Sequence, residues 1–241
     1  MSISLPLSDK IALVTGATRG IGYAAALALA EAGAHVIALG RTQGGLEALD
    51  DEILAATGQR ATLVPIDLRK PEDLDPLGGV IHQRFGRLDT IVHAAGVLGG
   101  LTPVGHVEPK AWEETLTVNL TATWRLIRSF EPLLKASQAG RAIFVTTGRV
   151  ARPKAFWGPY AASKAGMEAL VRCWADEMET TAVRAVILDP GAVRTRMRAQ
   201  AYPGEDPMDL PEPSALGPMF VSLAGQQDLP AQPHTLVFKA D

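Results

Sequence analysis

The chain has 241 residues, 47% of them hydrophobic and 20% charged, which allows one large globular domain with a well-buried core. Its formal net charge of −3 argues against a nucleic-acid-binding protein, because such proteins usually carry a basic surplus. The single cysteine, Cys173, excludes a disulfide scaffold within the chain and a cysteine-based zinc site.

The first ten residues lack the basic start and long apolar stretch of a secretory signal peptide. No apolar run reaches the roughly 18 residues that a membrane-spanning helix requires. We therefore expect a cytoplasmic protein that binds neither membranes nor nucleic acids. Cys173 lies in a helical run, LVRCWADEM, where we expect it to be a small core residue.

Taken in chain order, short apolar segments alternate with longer segments of helical spacing. Strands are predicted at 11–15, 35–39, 61–66, 90–94, 141–147, 183–188 and 235–238. Helices are predicted at 21–33, 46–57, 112–136 and 160–178. This alternation indicates βαβ units around a parallel sheet, and the continuously apolar strands indicate that helices cover both of its faces.

No internal repeat, low-complexity tract or linker divides the chain, so we expect one domain over residues 1–241. The segment 196–218 contains five prolines, which predict an irregular excursion before the last strand.

The first predicted strand runs directly into TGATRGIG, residues 15–22, which has glycines at 16, 20 and 22. A strand, a glycine-rich turn and a helix in this order are typical of a dinucleotide site. Glycine lets the backbone approach a pyrophosphate that a Cβ would keep away, and the helix N-terminus offers unpaired N–H groups. The alternative is a tight turn without a ligand, but a position after the first strand of an α/β sheet favours binding.

The GxxxGxG spacing and a series of later motifs resemble the short-chain dehydrogenase/reductase family. The matches are Gly16, Gly20, Ile21 and Gly22 in TGxxxGIG, Asp67 with Leu68, HAAG at 93–96, Asn119 in VNL, Thr147, Tyr160 with Lys164 in YxxxK, and PGAVRT at 190–195. Each motif is weak alone, and their common order and spacing carry the resemblance. The WGPYAASK stretch looks most similar to a bacterial subgroup of largely unassigned reductases.

The resemblance implies a doubly wound, Rossmann-type α/β fold with a seven-stranded parallel sheet in the order 3-2-1-4-5-6-7 and helices on both faces. It also implies a substrate lid at about 194–218 and a homodimer or homotetramer. The expected cofactor-binding residues are Gly16, Thr18, Arg19, Gly20, Ile21, Gly22, Arg41, Asp67, Leu68, Ala94, Ala95, Gly96, Tyr160, Lys164, Pro190, Gly191, Val193 and Thr195.

The same resemblance makes Asn119, Thr147, Tyr160 and Lys164 the catalytic residues, and no metal is required. Tyr160 would exchange a proton with the oxygen of a small carbonyl or alcohol substrate while a hydride moves to or from nicotinamide. Lys164, four residues later on the same helix face, would lower the Tyr160 pKa and bind the ribose hydroxyls. Thr147 would hydrogen-bond the substrate oxygen, and Asn119 would hold a water that joins Lys164 to solvent.

Two residues depart from the family pattern. His93 replaces an Asn that is mainly structural in the family, and we expect no metal or catalytic role for it. Thr147 replaces a serine; it offers the same hydroxyl with a stiffer χ1, and Thr146 would replace it if the register differed by one. From the residues alone, Asn119 could instead satisfy buried backbone groups, and Trp157 could be either core or pocket wall.

The residue after the second strand decides between the two nicotinamide cofactors, because an acid there binds the ribose 2′-hydroxyl of NAD. Here Gly40 holds that position, Arg41 follows it, and Arg19 lies in the glycine loop. Two guanidinium groups suit a 2′-phosphate, and no carboxylate repels it. NADP(H) is therefore the expected cofactor, with NAD(H) as the alternative.

The substrate is weakly specified by the sequence. Arg194, Arg196 and Arg198 in the predicted lid either attract an acidic substrate or pair with acids such as Glu205 and Asp206.

An NADP(H)-dependent carbonyl reductase or alcohol dehydrogenase is the favoured function. A non-catalytic nucleotide-binding regulatory module on the same fold is the alternative, although the intact Asn119, Tyr160 and Lys164 argue against it. The glycine spacing also argues against an epimerase or dehydratase of the longer relatives.

Overall fold

A computed structural model describes residues 5–239. The first four and last two residues of the predicted domain, and part of the stretch searched for a signal peptide, lie outside it. The described strands are β1 (Ile11–Thr15), β2 (His35–Gly40), β3 (Thr62–Pro65), β4 (Thr90–His93), β5 (Arg141–Val145), β6 (Arg184–Asp189) and β7 (Thr235–Val237). Each lies within two residues of a predicted strand.

Helices connect these strands. They are α1 (Gly20–Glu31), α2 (Gln43–Thr57), α3 (Asp75–Phe85), α4 (Pro109–Leu116), α5 (Ala122–Lys135), α6 (Gly158–Glu177), α7 (Arg196–Ala201) and α8 (Gly217–Gly225). The seven strands form one parallel sheet in the order β3-β2-β1-β4-β5-β6-β7, which confirms the predicted fold class. The order reverses between β1 and β4, and the crevice at their carboxyl ends is where such sheets bind ligands.

Alternating strand residues build a separate core on each face of the sheet. Leu13 of β1 belongs to a cluster that packs beneath α3, α5 and α6. Its neighbours Ala12 and Val14 belong to a cluster beneath α1, α2 and α8. Both faces are therefore covered, as the continuously apolar strands predicted.

The predicted helix 112–136 is two helices joined by a π turn at Thr117–Thr121. There the N–H of Ala122 donates to the carbonyl of Thr117, five residues back. The turn inserts extra backbone length between α4 and α5, and π turns of this kind are frequent at functional sites.

The proline-rich segment 196–218 is more regular than predicted. It contains α7 and two short 3₁₀ turns, at Pro207–Asp209 and Pro213–Leu216. The hydroxyl of Thr195 accepts the N–H of Arg198, and the carboxylate of Asp206 accepts the N–H of Met208. Pro207 and Pro213 stand at the first positions of the two 3₁₀ turns, where an N–H would have no partner within the turn, so they do not disrupt them.

The prediction that Cys173 is a core residue is wrong, because the residue is exposed on α6. Val171, Trp174 and Ala175 take the buried positions of that turn. The run is helical, as expected, but the cysteine lies on its outer face.

Candidate active site

One cavity of about 650 Å³ lies at the carboxyl ends of the central strands. All the predicted cofactor residues line it, and these are Gly16, Thr18, Arg19, Gly20, Ile21, Gly22, Arg41, Asp67, Leu68, Ala94, Ala95, Gly96, Tyr160, Lys164, Pro190, Gly191, Val193 and Thr195. Thr147 lines it as well. Asn119 does not and is fully buried behind the wall. The fold thus brings together residues that the sequence separates by up to 179 positions, from Gly16 to Thr195.

The glycine loop lies close to the backbone of the loop that follows β4. Gly16 has a φ of 70°, and a Cβ there would be 2.9 Å from the Cα and N of Ala95. A Cβ on Gly22 would be 2.4 Å from the carbonyl oxygen of Gly16. No larger residue fits at these two positions without moving backbone, so the turn keeps the N-terminus of α1 open towards the cavity.

At one end of the cavity, Arg19 and Arg41 are exposed. Neither side chain has a hydrogen bond or an ion pair within residues 5–239. A Cβ on Gly40 would be 2.5 Å from Cγ2 of Thr18, so a carboxylate-bearing residue at position 40 would displace Thr18. This end of the cavity is therefore cationic and has no room for the acid that contacts a free ribose 2′-hydroxyl.

Asp67 is already paired in this structure. Its carboxylate accepts three hydrogen bonds from the Arg69 guanidinium, at 2.5, 2.9 and 3.1 Å, and this pairing lowers the pKa of Asp67. Arg69 also lines the cavity and is absent from the predicted site. An arginine two residues after an acid is too common a pattern to have identified it.

Tyr160 and Lys164 lie together at the other end of the cavity and are almost fully buried, with 8% and 3% exposure. Burial raises the pKa of Tyr160 from 10.0 to about 12, a hydrogen bond with Thr147 opposes the rise, and the charge of Asp189 adds to it. The predicted lowering of the Tyr160 pKa by Lys164 is thus not found, because the pKa is raised and Lys164 is not among the causes of its shift.

The Lys164 ammonium donates to the Val145 carbonyl at 2.8 Å and lies 3.7 Å from Sδ of Met167. Burial lowers the pKa of Lys164 from 10.5 to about 8, although the Glu168 carboxylate one turn away raises it. Lys164 is therefore held by the end of β5 rather than directed at the tyrosine hydroxyl.

The two threonines after β5 have different partners. The hydroxyl of Thr146 donates to Oε1 of Glu168 at 2.6 Å, and Glu168 is in turn paired with Arg172 at 2.9 Å. Thr147 is the threonine that hydrogen-bonds Tyr160. The geometry therefore favours Thr147 over Thr146 as the hydroxyl beside the tyrosine.

Asn119 lies in the π turn, and its amide satisfies the backbone of Val97. Oδ1 accepts the Val97 N–H at 2.8 Å and Nδ2 donates to the Val97 carbonyl at 2.9 Å. Nδ2 also donates to the Ser163 hydroxyl at 3.0 Å, which donates to the Tyr160 carbonyl at 2.9 Å. The alternative role considered for Asn119, satisfying buried backbone groups, is thus present, and it connects the loop after β4 to the helix turn that carries Tyr160.

Aromatic residues form the wall next to Tyr160. The Trp157 ring lies 5.8 Å from those of Tyr160 and Tyr202, between centroids. Trp157 is buried and lines the cavity, so it is both core and pocket wall. The Arg198 guanidinium stacks 3.8 Å from the centroid of Tyr202 and joins α7 to this wall.

Two of the three arginines in the predicted lid are paired within the protein. Arg198 makes two hydrogen bonds of 2.6 Å to Glu205, as predicted. Arg194 pairs with Glu212 at 2.8 Å rather than with Glu205 or Asp206, and it also donates to the carbonyls of Pro207 and Leu210. These two arginines are held within the segment 194–218 itself, so they support an acidic substrate less than the sequence allowed.

The comparisons with known proteins agree with this geometry. A family model described as "short chain dehydrogenase" matches residues 10–206. The uncharacterized oxidoreductase YciK of Escherichia coli K12 is 38% identical over 221 residues, which are 91% of this chain and 87% of that protein.

Solved structures are similar over nearly the full length. A short-chain dehydrogenase of Shigella flexneri 2a, complexed with NADP, has a TM-score of 0.92 and 34% identity and covers 97% of this chain and 99% of its own. One of Escherichia coli CFT073, complexed with NADPH, has a TM-score of 0.92 and 35% identity, with 97% and 98% covered. Within residues 5–239, no helix is both long and apolar enough to cross a membrane. With the motifs converging on one cavity and a family model matching most of the chain, the protein belongs to the short-chain dehydrogenase family of oxidoreductases.

Proposed function

We propose that the protein is an NADP(H)-dependent oxidoreductase that interconverts a carbonyl and an alcohol, with Tyr160 as the general acid and base. The observation that carries the proposal is that Tyr160, Thr147 and Lys164 open into the same cavity as the glycine loop. A dinucleotide that crosses this cavity can reach from one group of residues to the other.

The residues fit a phosphorylated dinucleotide. The Gly16 turn leaves space that a Cβ would fill, so the pyrophosphate would lie against the N-terminus of α1. Arg19 and Arg41 would hold the 2′-phosphate, since neither guanidinium has a hydrogen bond or ion pair in residues 5–239 and Gly40 excludes the competing acid. The NADP and NADPH complexes of the two solved relatives support this assignment.

When bound, the nicotinamide would supply or accept the hydride. Tyr160, with its pKa at about 12, is protonated near neutral pH and is ready to donate a proton to the oxygen of a carbonyl. The Thr147 hydroxyl beside it would bind the same oxygen. Lys164 and Asn119 would hold these groups in place, Asn119 through its hydrogen bonds to Val97 and Ser163.

To test this, wild type, Tyr160→Phe and Tyr23→Phe are each assayed with a panel of aldehydes and ketones. Turnover is measured as the loss of NADPH absorbance. Tyr23 is a matched control, because its hydroxyl bonds to Ala48 and Glu52 away from the cavity. We expect Tyr160→Phe to lower kcat/KM by about 10²–10⁴-fold and to bind NADPH as wild type does, and Tyr23→Phe to remain active.

The regulatory-module alternative predicts a different result. It is favoured if NADPH binds tightly while neither wild type nor Tyr160→Phe turns over any compound of a broad panel. A tyrosine variant as active as wild type would contradict the proposed role of Tyr160 while leaving cofactor binding intact.

A further inference from the structure

His93 is fully buried between two threonine hydroxyls. Its Nδ1 lies 2.8 Å from Oγ1 of Thr15, at the end of β1. Its Nε2 lies 3.0 Å from Oγ1 of Thr123, in the first turn of α5. The ring therefore spans from the sheet to the helix that follows the π turn.

The hydrogen bonds beyond these threonines fix the direction of every proton. The Thr123 hydroxyl donates to the carbonyl of Asn119 at 3.0 Å, and a carbonyl can only accept. A hydroxyl has one proton, so Thr123 must accept from His93, and Nε2 must carry the hydrogen. In the neutral ring Nδ1 is then bare and accepts the Thr15 hydroxyl proton, while Thr15 accepts the N–H of Ala95 at 3.3 Å.

The tautomer protonated on Nδ1 would leave one buried donor without an acceptor. With the proton on Nδ1, Thr15 would accept from both His93 and Ala95, and its own proton would have no acceptor within residues 5–239. A buried donor without an acceptor costs about 1–3 kcal/mol. A doubly protonated ring fails for the same reason, and burial together with the nearby Lys164 charge lowers the pKa of His93 to about 3.

We propose that His93, neutral and protonated on Nε2, is a positioning residue for the proposed active site. Its hydrogen bonds run in one direction, from the Ala95 N–H through Thr15, His93 and Thr123 to the carbonyl of Asn119. That carbonyl lies in the π turn, and the side chain of the same residue holds Val97 and the Tyr160 turn of α6 through Ser163. The proposal depends on the proposed function only in treating Asn119 and Tyr160 as parts of an active site.

The first experiment reads the tautomer directly. Long-range ¹H–¹⁵N NMR spectra of the full chain distinguish a protonated from a bare ring nitrogen, and the His93 signals are those lost in His93→Gln. We expect a protonated Nε2 and a bare Nδ1 that do not change between pH 5 and 8, where an unperturbed histidine titrates. A proton on Nδ1, or titration in that range, would overturn the proposal.

The second experiment tests the coupling to Asn119 by hydrogen exchange at the Val97 amide, which donates to the Asn119 side chain. Thr123→Val removes the hydroxyl with little change in shape, and Thr123→Ser keeps it. We expect exchange about 10-fold faster in the valine variant, equivalent to one lost hydrogen bond, and within about 2-fold of wild type in the serine variant.

Two His93 variants test the two ring nitrogens separately. The amide nitrogen of glutamine can replace Nε2–H towards Thr123, whereas the shorter asparagine can replace only Nδ1 towards Thr15. We expect Val97 exchange in His93→Gln to lie nearer to wild type than in His93→Asn. Equal exchange in Thr123→Val and wild type, or the reverse order of the two His93 variants, would contradict the proposal. Neither experiment requires turnover, so the proposal can fail or hold independently of the enzyme assay.

Discussion

The two ends of the cavity differ in the burial of their polar and charged groups and in whether those groups have partners within the protein. At the end that contains Tyr160 and Lys164, the polar groups are buried, and each has a partner within the protein. At the other end, Arg19 and Arg41 are exposed and make no hydrogen bond or ion pair within residues 5–239, although the charge of Arg41 acts on Asp67. One end is assembled before any ligand arrives, whereas the other has unpaired cations that a ligand anion can satisfy.

Because of this difference, we expect substitutions at the two ends to change different properties of the protein. Buried polar groups affect the rate and the stability of the fold together, because active-site geometry is often maintained at a cost in stability. Exposed cations at the opposite end should affect cofactor choice with little effect on folding. Variants at the two ends therefore test whether one end determines rate and stability while the other determines cofactor choice.

The largest effect is expected for Lys164→Met, with a loss of about 10²–10⁴-fold in kcat, because the ammonium contacts both the site and the end of β5. Stability should change in the opposite direction. The folded Lys164 has a pKa of about 8 against an ordinary 10.5, so the folded state carries a buried charge at neutral pH, and removing it should stabilise the fold.

The pH dependence of the free energy of unfolding tests the stabilisation expected for Lys164→Met. Between pH 8 and 10.5 the unfolded lysine holds a proton that the folded one has released, so the free energy of unfolding of wild type rises with pH by up to about 3 kcal/mol. Urea unfolding at pH 7, 9 and 10 should show the advantage of Lys164→Met shrinking across that window. A difference that does not depend on pH would contradict the assigned burial of the charge.

The next effect is expected at the exposed end. Arg19→Ala and Arg41→Ala should each lower kcat/KM for NADPH by about 10- to 100-fold, the range for a hydrogen-bonded charge, and change kcat/KM for NADH by less than about 2-fold. Arg128→Ala is the control, because that arginine stacks on Trp124 and does not line the cavity. Equal losses with both cofactors, or a wild-type preference for NADH, would contradict the 2′-phosphate assignment.

A smaller effect is expected at Thr147. Thr147→Val should lower kcat about 10-fold through the loss of one hydrogen bond, and Thr147→Ser should stay near wild type. Thr146 cannot compensate, because its hydroxyl is bonded to Glu168. Steady-state kinetics of the two variants measure this, and a fully active valine variant would remove Thr147 from the proposed mechanism.

The smallest effect is expected for the lid ion pair. Glu205→Gln breaks the contact with Arg198, but both side chains are partly exposed, and such pairs contribute little. KM should change by less than about 3-fold, and the change should diminish in high salt. A much larger change would mean that the released arginine interacts with the substrate.

Much of the fold could be predicted from the sequence because it depends on local patterns. The glycine loop, the alternation of strands and helices and the YxxxK pair each lie within a short segment. The π turn could not be found this way, since one wider turn leaves the apolar spacing of 112–136 almost unchanged. Cys173 illustrates the same limit: helical periodicity was evident, but a one-position error in the buried face moved the cysteine from core to surface.

The partners of the site residues were harder to predict, because they come from distant parts of the chain. His93 meets Thr15 and Thr123 across separations of 78 and 30 residues, and nothing near His93 in sequence indicates either one. Asn119 was identified by its motif, but its contact with Val97 depends on how the loop after β4 folds back. Residue type and motif predicted the candidate site residues, whereas tertiary contacts determine which groups hold them.

The one-way hydrogen-bond chain through His93 also bears on how this site can change during evolution. Loss of the hydroxyl at Thr15 or Thr123 leaves a buried ring nitrogen without a partner, at a cost of about 1–3 kcal/mol. Replacement of His93 has a similar cost, because the buried Thr15 hydroxyl then loses its acceptor within residues 5–239. Positions 15, 93 and 123 should therefore be inherited as a set.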